Sequence, residues 1–540
     1  MKKILSIFIL MLSVFLLTSC ELNSFFTTTS KKTTKTTTSK TTTSSSLVTN
    51  SSSQTTKSSS SSNNTSSNNT NSPSTSKTTT ASTGEGKFSG REVNTVKIMS
   101  INDTHGQLEE GTGYNMSLST VDGAVNYLET QSNQKYIRIM AGDLFQGSFV
   151  SRFTYGRCMI EAINAMDFDV MVLGNHEFDW GLDKVANYFD GDEENGEANF
   201  PLLCANLVDK TTGKRPDWVQ AYTIINYYGL KVGVIGCIGE NIEGDIATSS
   251  LGDYEFTEEL PLVKEYSSTL HSLGCDVVIY ACHDYANYGA TFRTIAECIG
   301  ETEYVDAFVA GHMHQQEEEY YQRTDGYLIP LVENYAKNGS FATITLNISN
   351  KKATSGTINH YNKNSDCVKN STPTADVEAI VTRYQSIINE GAEVVYHLDN
   401  RLSSKQDVAN YMMDAMREYI KAHESSFTYT EVYVFINTGG VRASSCPAGD
   451  LTFADMYEWF PFDNRVQYVK MTGSQLKAYV NRNYSYNVWS ADYNGDIIID
   501  SNTYILAFSD FSAKYLTGYG TIYNTDVIMY NMLREYFLSL

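Results

Sequence analysis

The stretch FDVMVLGNHEFDWG, residues 168–181, runs from an apolar segment directly into a group of polar side chains. The apolar run FDVMVL is of the kind that forms a short buried strand. Asn175, His176 and Asp179 follow it, and these polar groups would be costly to bury unless they bind something. Because ligands bind where the strands of an open α/β sheet end, this stretch predicts a functional site at the edge of a central sheet.

Four other segments repeat this layout of an apolar strand, a small residue and then Asp or His: TVKIMSINDTHG, YIRIMAGDLFQG, DVVIYACHDY and VDAFVAGHMH. The polar residues that end them are Asp103, His105, Asp143, His283, His312 and His314. Residues two apart on an extended segment face the same side, so Asp103 is expected to face the same site as His105. A lone histidine beside a strand is more often structural, but the five segments hold five of the nine histidines. They therefore indicate a shared ligand.

The donors at the ends of these five strands are oxygen and imidazole groups: Asp103, His105, Asp143, Asn175, His283, His312 and His314. Hard and borderline divalent metals prefer such donors. Seven donors exceed what one tetrahedral ion needs, and they suit two ions about 3.5–4 Å apart that share a carboxylate. The absence of thiolates among them argues against a structural zinc site. The sequence predicts two divalent ions of the Zn, Mn or Fe type as cofactors and leaves the metal open.

The motifs D-x-H, G-D, G-N-H-E and G-H-x-H, in this order over residues 93–345, resemble those of the calcineurin-like metallophosphoesterases, and within them the bacterial 5′-nucleotidase family. The resemblance implies an α/β fold, in which an N-terminal four-layer metallophosphoesterase β-sandwich is flanked by helices. A helix would join it to a C-terminal α/β substrate-binding domain. The implied metal ligands form two sets around a bridging Asp143: Asp103, His105 and His314 for one ion, and Asn175, His283 and His312 for the other.

The same resemblance implies that His176 and Asp179 are the catalytic pair. Unaided hydrolysis of phosphate esters is very slow, and two metal ions help by activating a water and aligning the attacking and leaving oxygens. His176, beside the metals, would hydrogen-bond a phosphoryl oxygen or help the leaving oxygen depart. Asp179 is three residues further on, so a tight turn would let it orient the imidazole.

The C-terminal half carries a second group of motifs. The spacing of apolar residues over 374–395 predicts a connecting helix, and EVYVFINTGGVRAS predicts a strand that enters a Gly-rich turn. NTGGVR and PFDN resemble the C-terminal substrate domain of the 5′-nucleotidases. This implies that Asn437 and Arg442 hold the substrate, and that Phe462 and Phe511 sandwich its base.

Two positions depart from the family pattern. Thr517 stands where the family has an aspartate that contacts the ribose. Leu402 stands where it has an arginine, and Arg401 is one position away. The leading hypothesis is a 5′-nucleotidase, and the alternative keeps the metal chemistry but acts on 2′,3′-cyclic nucleotides, nucleotide sugars or another phosphoester. An inactive ligand-binding lipoprotein is disfavoured, because no metal ligand is missing.

The N-terminus predicts export and anchoring. Lys2 and Lys3 precede a short apolar run that ends in LTSC, so residues 1–20 read as a lipoprotein signal peptide with Cys20 as the lipidated residue. Residues 21–90 are rich in Ser, Thr and Asn and predict a disordered stalk. We expect a protein on the outer face of the cell membrane, or in the periplasm of a diderm, attached through the lipid alone.

Length and charge constrain the rest of the chain. The 450 residues after the stalk suit two domains, predicted at 91–350 for the metallophosphoesterase and 374–540 for the C-terminal domain. The net charge is −22, and the nine lysines and two glutamates of residues 1–90 leave −29 for the remainder. This charge argues against binding a nucleic-acid polymer and favours a small phosphoester as partner. Cys237 and Cys282 lie in apolar runs and are expected in the core, and the oligomeric state stays open.

Overall fold

Two six-stranded sheets dominate the N-terminal part of the chain in the computed structural model, which describes residues 86–111, 113–284, 299–483, 488–489 and 497–540. The predicted signal peptide, Cys20 and nearly all of the stalk lie outside these residues. The strands of this part are β1 (Thr95–Ile101), β2 (Ile137–Met140), β3 (Val170–Val172), β4 (Leu202–Leu203), β5 (Leu207–Asp209), β6 (Tyr222–Tyr227), β7 (Leu230–Ile238), β8 (Tyr254–Phe256), β9 (Val277–His283), β10 (Ala307–Gly311), β11 (Glu317–Gln322), β12 (Leu328–Glu333), β13 (Phe341–Ser349) and β14 (Lys352–Tyr361). Their order is β14-β13-β1-β2-β3-β4 in one sheet and β11-β12-β10-β9-β7-β6 in the other, with β5 paired to β8.

The two sheets pack face to face, because their central strands are apolar on both sides. The core between them is formed by residues such as Ile98, Ile139, Val172, Val234, Ile279 and Val309. Helices cover the outer faces: α1 (Leu118–Ser132), α2 (Phe149–Phe153), α3 (Arg157–Ala165), α4 (Leu182–Ala186), α5 (Thr248–Leu251), α6 (Glu259–Ser272) and α7 (Asp366–Lys369). Val125 and Met159 pack on one sheet, and Val263 and Leu270 on the other. The predicted four-layer architecture is confirmed.

The carboxyl ends of the parallel strands meet at one edge of this sandwich. In the first sheet β2 runs parallel to both β1 and β3, with Ile101 opposite Met140. In the second sheet β9 runs parallel to β7 and β10, with His283 opposite Gly311. Each strand ends where a polar motif begins, as the sequence predicts.

A smaller four-stranded sheet organises the C-terminal part, in the order β16-β21-β19-β22. The strands are β15 (Val394–Leu398), β16 (Val432–Val434), β17 (Ile436–Asn437), β18 (Gly449–Thr452), β19 (Arg465–Thr472), β20 (Val488–Trp489), β21 (Thr503–Ser509) and β22 (Ile522–Ile528). The helices are α8 (Ala375–Arg383), α9 (Gln385–Gly391), α10 (Lys405–His423), α11 (Phe453–Trp459), α12 (Gly473–Asn483) and α13 (Met529–Ser539). One core cluster contains Met412, Val434 and Leu533, and another contains Phe435, Leu476 and Leu506.

The single connecting helix predicted over 374–395 is wrong in its extent. The structure has two helices, α8 and α9, separated at Tyr384, and strand β15 begins at Val394. Tyr384 has φ −95° and ψ 10°, and its side chain packs against the core beneath α3. Tertiary packing therefore interrupts a pattern whose local spacing is helical throughout.

The cysteines of the described ranges are free thiols and are buried: Cys158, Cys204, Cys237, Cys275, Cys282, Cys367 and Cys446. The core positions predicted for Cys237 and Cys282 are confirmed, since both are fully buried. Among the helices that the structure describes, none combines the length and apolarity that crossing a bilayer requires.

Candidate dimetal active site

The turn after β1 brings Asp103 and His105 to one site, but not through an extended backbone. Both residues have φ +49°, which places them in the left-handed region. Their amides donate to the loop after β2, Asp103 N to Gly142 O at 2.9 Å and His105 N to Asp143 O at 3.0 Å. The expectation that they share a side is correct, while the extended geometry behind it is wrong.

Left-handed backbone recurs at three further predicted ligands, Asp143 (φ +57°), His312 (φ +96°) and His314 (φ +58°). Such conformations cost non-glycine residues about 1–3 kcal/mol each and cluster at functional sites. Hydrogen bonds hold one of these turns in place, because His312 N donates to Asp103 Oδ2 at 2.8 Å. The fold therefore stabilises a strained arrangement of donors.

Two groups of donor atoms converge at this edge. Asp103, His105, Asp143 and His314 form the first group, and Asp143, His283 and His312 form the second. Within each group the ligand atoms lie within 4.8 Å of one another, and Asp143 belongs to both. The structure thus brings together the six carboxylate and imidazole donors named from the sequence.

Asn175 completes the second group. Its Oδ1 lies 2.9 Å from His312 Nδ1 and 3.2 Å from His283 Nε2. His283 Nε2 also lies 3.2 Å from Asp143 Oδ2. Four donors from strand ends of both sheets therefore surround one position.

Backbone carbonyls fix the tautomers of two of these histidines. His105 Nδ1 donates to Gln146 O at 2.9 Å, and His283 Nδ1 donates to Ala141 O at 2.8 Å. A neutral imidazole that donates from Nδ1 presents a lone pair at Nε2. Such outer hydrogen bonds orient metal-binding imidazoles in proteins. Both Nε2 atoms point into the donor groups.

These donor groups fit divalent cations, because the ligand atoms of each group direct their lone pairs toward one another. His105 Nε2 lies 3.0 Å from His314 Nε2, and His283 Nε2 faces the oxygens of Asn175 and Asp143. Asp103 Oδ1 is buried and lies 3.1 Å from His314 Nε2. Lone pairs that face one another at these distances need a proton or a metal ion between them, and a divalent ion in each donor group would satisfy several of them at once.

The electrostatic field of the site also favours a cation. Burial by itself would lower the pKa of His283, but the charges of Asp143 and Asp103 raise it to about 10. Burial would raise the pKa of Asp103, but the nearby imidazoles of His314 and His283 hold it below the ordinary value. Two buried carboxylates are thus held ionised and attract positive charge.

Sequence reasoning gave no role to Glu177, which organises two of the ligand loops. Its carboxylate accepts from the amides of Asp143 at 2.9 Å, Leu144 at 2.8 Å and Gly174 at 2.7 Å. A Cβ on Gly174 would lie 2.3 Å from Asp143 Oδ1, so only glycine permits this approach. Glu177 lies in the G-N-H-E motif, and that position was the available signal.

His176 and Asp179 form the predicted pair. His176 Nδ1 lies 2.8 Å from Asp179 Oδ2, and its backbone amide donates to Asp143 Oδ1 at 2.8 Å. Burial would lower the pKa of His176, but the carboxylates of Asp179 and Asp143 raise it above the ordinary value. The ring lies 5.2 Å from that of His105, beside the donor groups.

Arg442 of the C-terminal part reaches this pair. Its Nη2 lies 2.5 Å from His176 Nε2, and its guanidinium carbon lies 5.3 Å from the centre of the Phe462 ring. The Phe462 ring is 5.8 Å from the ring of His176. Two of the four residues predicted to bind substrate therefore lie beside the catalytic pair.

A small cavity lies next to these residues and opens to solvent. Its lining residues are Ile436, Asn437, Gly440, Phe460, Phe462, Asn464, Ser509 and Met529. Phe511 is outside this set, and Lys514 Nζ lies 4.5 Å from the centre of its ring. The structure thus brings together Asn437 and Phe462 at the cavity, and Ser509, two residues before Phe511, also lines it.

The two residues that depart from the family pattern do not belong to the donor groups. Thr517 is exposed, and its hydroxyl donates to Lys514 O at 3.4 Å. Leu402 packs against the C-terminal core and pairs with Cys446, while Arg401 is exposed. Burial, and then the charge of Arg442, lower the pKa of Lys405.

Comparison with protein families gives two matches along the chain. Residues 96–316 match the calcineurin-like phosphoesterase family, and residues 392–515 match the 5′-nucleotidase C-terminal domain. The first range contains every predicted metal ligand and the His176–Asp179 pair. The second contains Asn437, Arg442, Phe462 and Phe511.

Curated relatives share most of this chain but extend beyond it. Endonuclease YhcR of Bacillus subtilis is 27% identical over 428 residues, which cover 74% of this chain and 33% of the relative. Cell wall protein Lmo0130 of Listeria monocytogenes is 24% identical over 465 residues, which cover 75% of this chain and 58% of the relative. The chain therefore spans a third to somewhat over half of the length of these two relatives.

A solved structure shares the fold. The crystal structure of the 5′-nucleotidase precursor from Thermus thermophilus superposes with a TM-score of 0.69 at 16% sequence identity. The match covers 82% of this chain and 96% of that structure. The likeness extends over both halves of the chain.

Proposed function

Because this chain belongs to the calcineurin-like phosphoesterases that carry a 5′-nucleotidase C-terminal domain, we propose that it hydrolyses the 5′-phosphate of nucleotides. Members of this family use a dimetal centre, and the two donor groups that share Asp143 provide candidate sites for both ions. The domain bounds of 91–350 and 374–540 and the roles of the individual residues are part of this proposal.

One observation carries the proposal: a cation from the C-terminal part contacts the catalytic pair of the N-terminal part. Arg442 and His176 are 266 positions apart in sequence, and their side chains meet at 2.5 Å. A substrate whose phosphate lies at the donor groups would therefore extend toward the cavity that Phe462 and Asn437 line. That arrangement suits a phosphoester whose leaving group is planar and polar, so that it can contact Phe462 and Asn437.

The chain's own residues have distinct tasks in this proposal. Two divalent ions bound at the donor groups would supply an activated water and neutralise phosphoryl charge. Asp179 accepts from Nδ1 of His176, while Nε2 contacts Arg442 Nη2. Once a bound phosphoester displaces that contact, the imidazolium, whose pKa Asp179 and Asp143 raise, would donate its Nε2 proton to the leaving oxygen. Arg442 supplies a fixed positive charge beside that atom, which favours the phosphoryl oxygens over water.

A second candidate keeps this chemistry and changes the substrate to 2′,3′-cyclic nucleotides, nucleotide sugars or another phosphoester. Thr517 favours it. Its hydroxyl hydrogen-bonds within its own loop, to Lys514 O. A threonine in place of the family's aspartate weakens recognition of the ribose relative to recognition of the phosphate.

A phosphoester panel tests the proposal. The purified chain, supplied in turn with Zn²⁺, Mn²⁺ or Fe²⁺, is assayed for phosphate release from nucleoside monophosphates, 2′,3′-cyclic nucleotides, nucleotide sugars and 4-nitrophenyl phosphate. We expect the highest kcat/KM with nucleoside monophosphates. Highest activity on a cyclic nucleotide or a nucleotide sugar would favour the second candidate, and no release from any phosphoester would contradict both.

Phe462→Ala should selectively weaken nucleotide hydrolysis. Stacking of a base on an aromatic ring contributes about 1–3 kcal/mol, which corresponds to an increase in KM of about five- to 150-fold. The measurement is the ratio of kcat/KM for a nucleoside monophosphate to that for 4-nitrophenyl phosphate, since this ratio cancels any loss of folded enzyme. An unchanged ratio would contradict stacking on Phe462.

Phe511→Ala provides the comparison for the predicted sandwich. If both rings clamp the base, the two variants should lower this ratio by similar factors. Lys514 Nζ lies 4.5 Å from the centre of the Phe511 ring. An unchanged ratio in Phe511→Ala alone would restrict the stacking role to Phe462.

We also propose that the chain is attached to the outside of the membrane through a lipid on Cys20. The sequence LTSC after an apolar run supports this, and one curated relative is a cell wall protein. Cys20→Ala should release the protein from the membrane fraction, because the variant lacks the residue that would carry the lipid. Immunoblots of membrane and soluble fractions would show this, and retention of the variant in the membrane would contradict the anchor.

A further inference from the structure

A bidentate ion pair joins the two halves of the chain directly beside Phe462. Arg152 Nε donates to Asp463 Oδ1 at 2.8 Å, and Arg152 Nη2 donates to Asp463 Oδ2 at 2.5 Å. Such paired hydrogen bonds fix geometry as well as charge. Arg152 lies in α2, which follows the loop of Asp143, and Asp463 immediately follows Phe462.

Aromatic rings hold Arg152 on its other side. Its guanidinium carbon lies 4.8 Å from the centre of the Tyr155 ring and 5.8 Å from that of Trp180. The Arg152 side chain is only 11% exposed, and that of Asp463 is 28% exposed. Exposed ion pairs contribute little because water and salt screen them, whereas this pair is shielded and its position is constrained.

A second contact fixes the residue on the other side of Phe462. The carbonyl of Pro461 accepts from the side-chain amide Nε2 of Gln146 and from the hydroxyl of Tyr457, the latter at 3.2 Å. Gln146 also accepts from the predicted metal ligand His105 through its own carbonyl. The segment 461–463 is therefore held on both sides of Phe462 by residues of the metal-binding half.

We infer that Arg152, acting through Asp463, is a positioning residue that sets the preference for base-bearing substrates. The pair holds the Phe462 ring beside His176, so a base would meet a ring that is already in place. Ordering a side chain on binding costs affinity, and a preordered one avoids that cost. This inference rests on the proposed function, in which Phe462 stacks against the base.

A double-mutant cycle on the metal-loaded full chain tests this. Asp463→Asn keeps the shape of the side chain and removes its charge. Arg152→Lys keeps the positive charge and removes the planar guanidinium that makes both hydrogen bonds. For a nucleoside monophosphate we expect each variant to raise KM about three- to tenfold with kcat nearly unchanged, and 4-nitrophenyl phosphate to be hydrolysed as in the wild type. The double variant should be no worse than the more affected single variant, because both changes break one interaction.

Two controls separate positioning from general damage. Glu458→Gln breaks another ion pair between the halves, Lys337–Glu458 at 2.7 Å, and should leave the substrate preference unchanged. In a Phe462→Ala background, Asp463→Asn should cause no further change, because the ring it positions is absent.

The outcomes of these experiments distinguish failure of the positioning role of Arg152 from failure of the proposed function. A phosphoester panel in which nucleoside monophosphates are not the preferred substrates would overturn the proposed function, and this inference with it. A wild type with no more preference for the nucleotide than Phe462→Ala would leave the hydrolysis standing but overturn the stacking role, and with it this inference. A wild-type preference that Asp463→Asn and Arg152→Lys both retain would overturn the inference alone. The same result follows if Asp463→Asn lowers the preference equally in the Phe462→Ala background.

Discussion

His176→Ala should lower kcat by about 10²–10⁴-fold, the usual scale of general acid–base catalysis, while both metals stay bound. The imidazole contacts Asp179 and Arg442. The contact that His176 makes with Asp143 comes from its backbone amide, at 2.8 Å, and alanine keeps that amide. The variant therefore removes the proton donor without removing a predicted metal ligand.

The measurement is phosphate release together with metal content by elemental analysis. Asp179→Ala should lose less, about 10–100-fold, since outer partners of a working imidazole have effects of that size. His360→Ala is the matched control, because His360 is a partly buried histidine that donates to Glu317 O at 3.0 Å, away from the donor groups. Full turnover in His176→Ala would remove this residue from the mechanism.

Asp143→Ala should lose metal and activity together. Asp143 belongs to both donor groups, so its removal weakens both candidate sites at once. It also leaves the amide of His176 without its 2.8 Å acceptor. Because replacing even an outer partner of a metal ligand costs about 10–100-fold, we expect a loss of kcat/KM above about 10²-fold.

Elemental analysis of the folded variant checks this, and Asp306→Ala controls for the loss of a buried carboxylate. Asp306 is buried, pairs with Arg323 at 2.9 Å and immediately precedes β10, whereas His312 follows the other end of that strand. Asp306→Ala is expected to lower the thermal midpoint but keep its metals. Two metals per chain in folded Asp143→Ala would contradict the bridging role.

The sequence predicts the donors because each motif is local. In each motif the apolar residues indicate a buried strand, and the small residue followed by Asp or His marks where the strand ends and the polar side chain lies. The three-residue spacing of His176 and Asp179 likewise suffices for their 2.8 Å contact. These predictions needed no knowledge of distant parts of the chain.

The backbone geometry of these motifs could not be predicted in this way. Spacing suggested extended segments, yet Asp103 and His105 adopt left-handed turns. Long-range hydrogen bonds stabilise such turns, as between His312 N and Asp103 Oδ2, which are 209 positions apart. Local preference favours the extended form, and tertiary contacts outweigh it.

The sequence by itself predicted the donor residues, because apolar periodicity and motif spacing act over a few residues, and its resemblance to the calcineurin-like metallophosphoesterases implied the layered α/β class and the catalytic pair. Only the tertiary structure decided that Arg442 meets His176 and that Arg152 holds Asp463, pairs separated by 266 and 311 positions. It also interrupted the connecting helix at Tyr384. Such contacts depend on how two hydrophobic cores pack against each other, and no short stretch of sequence encodes that packing.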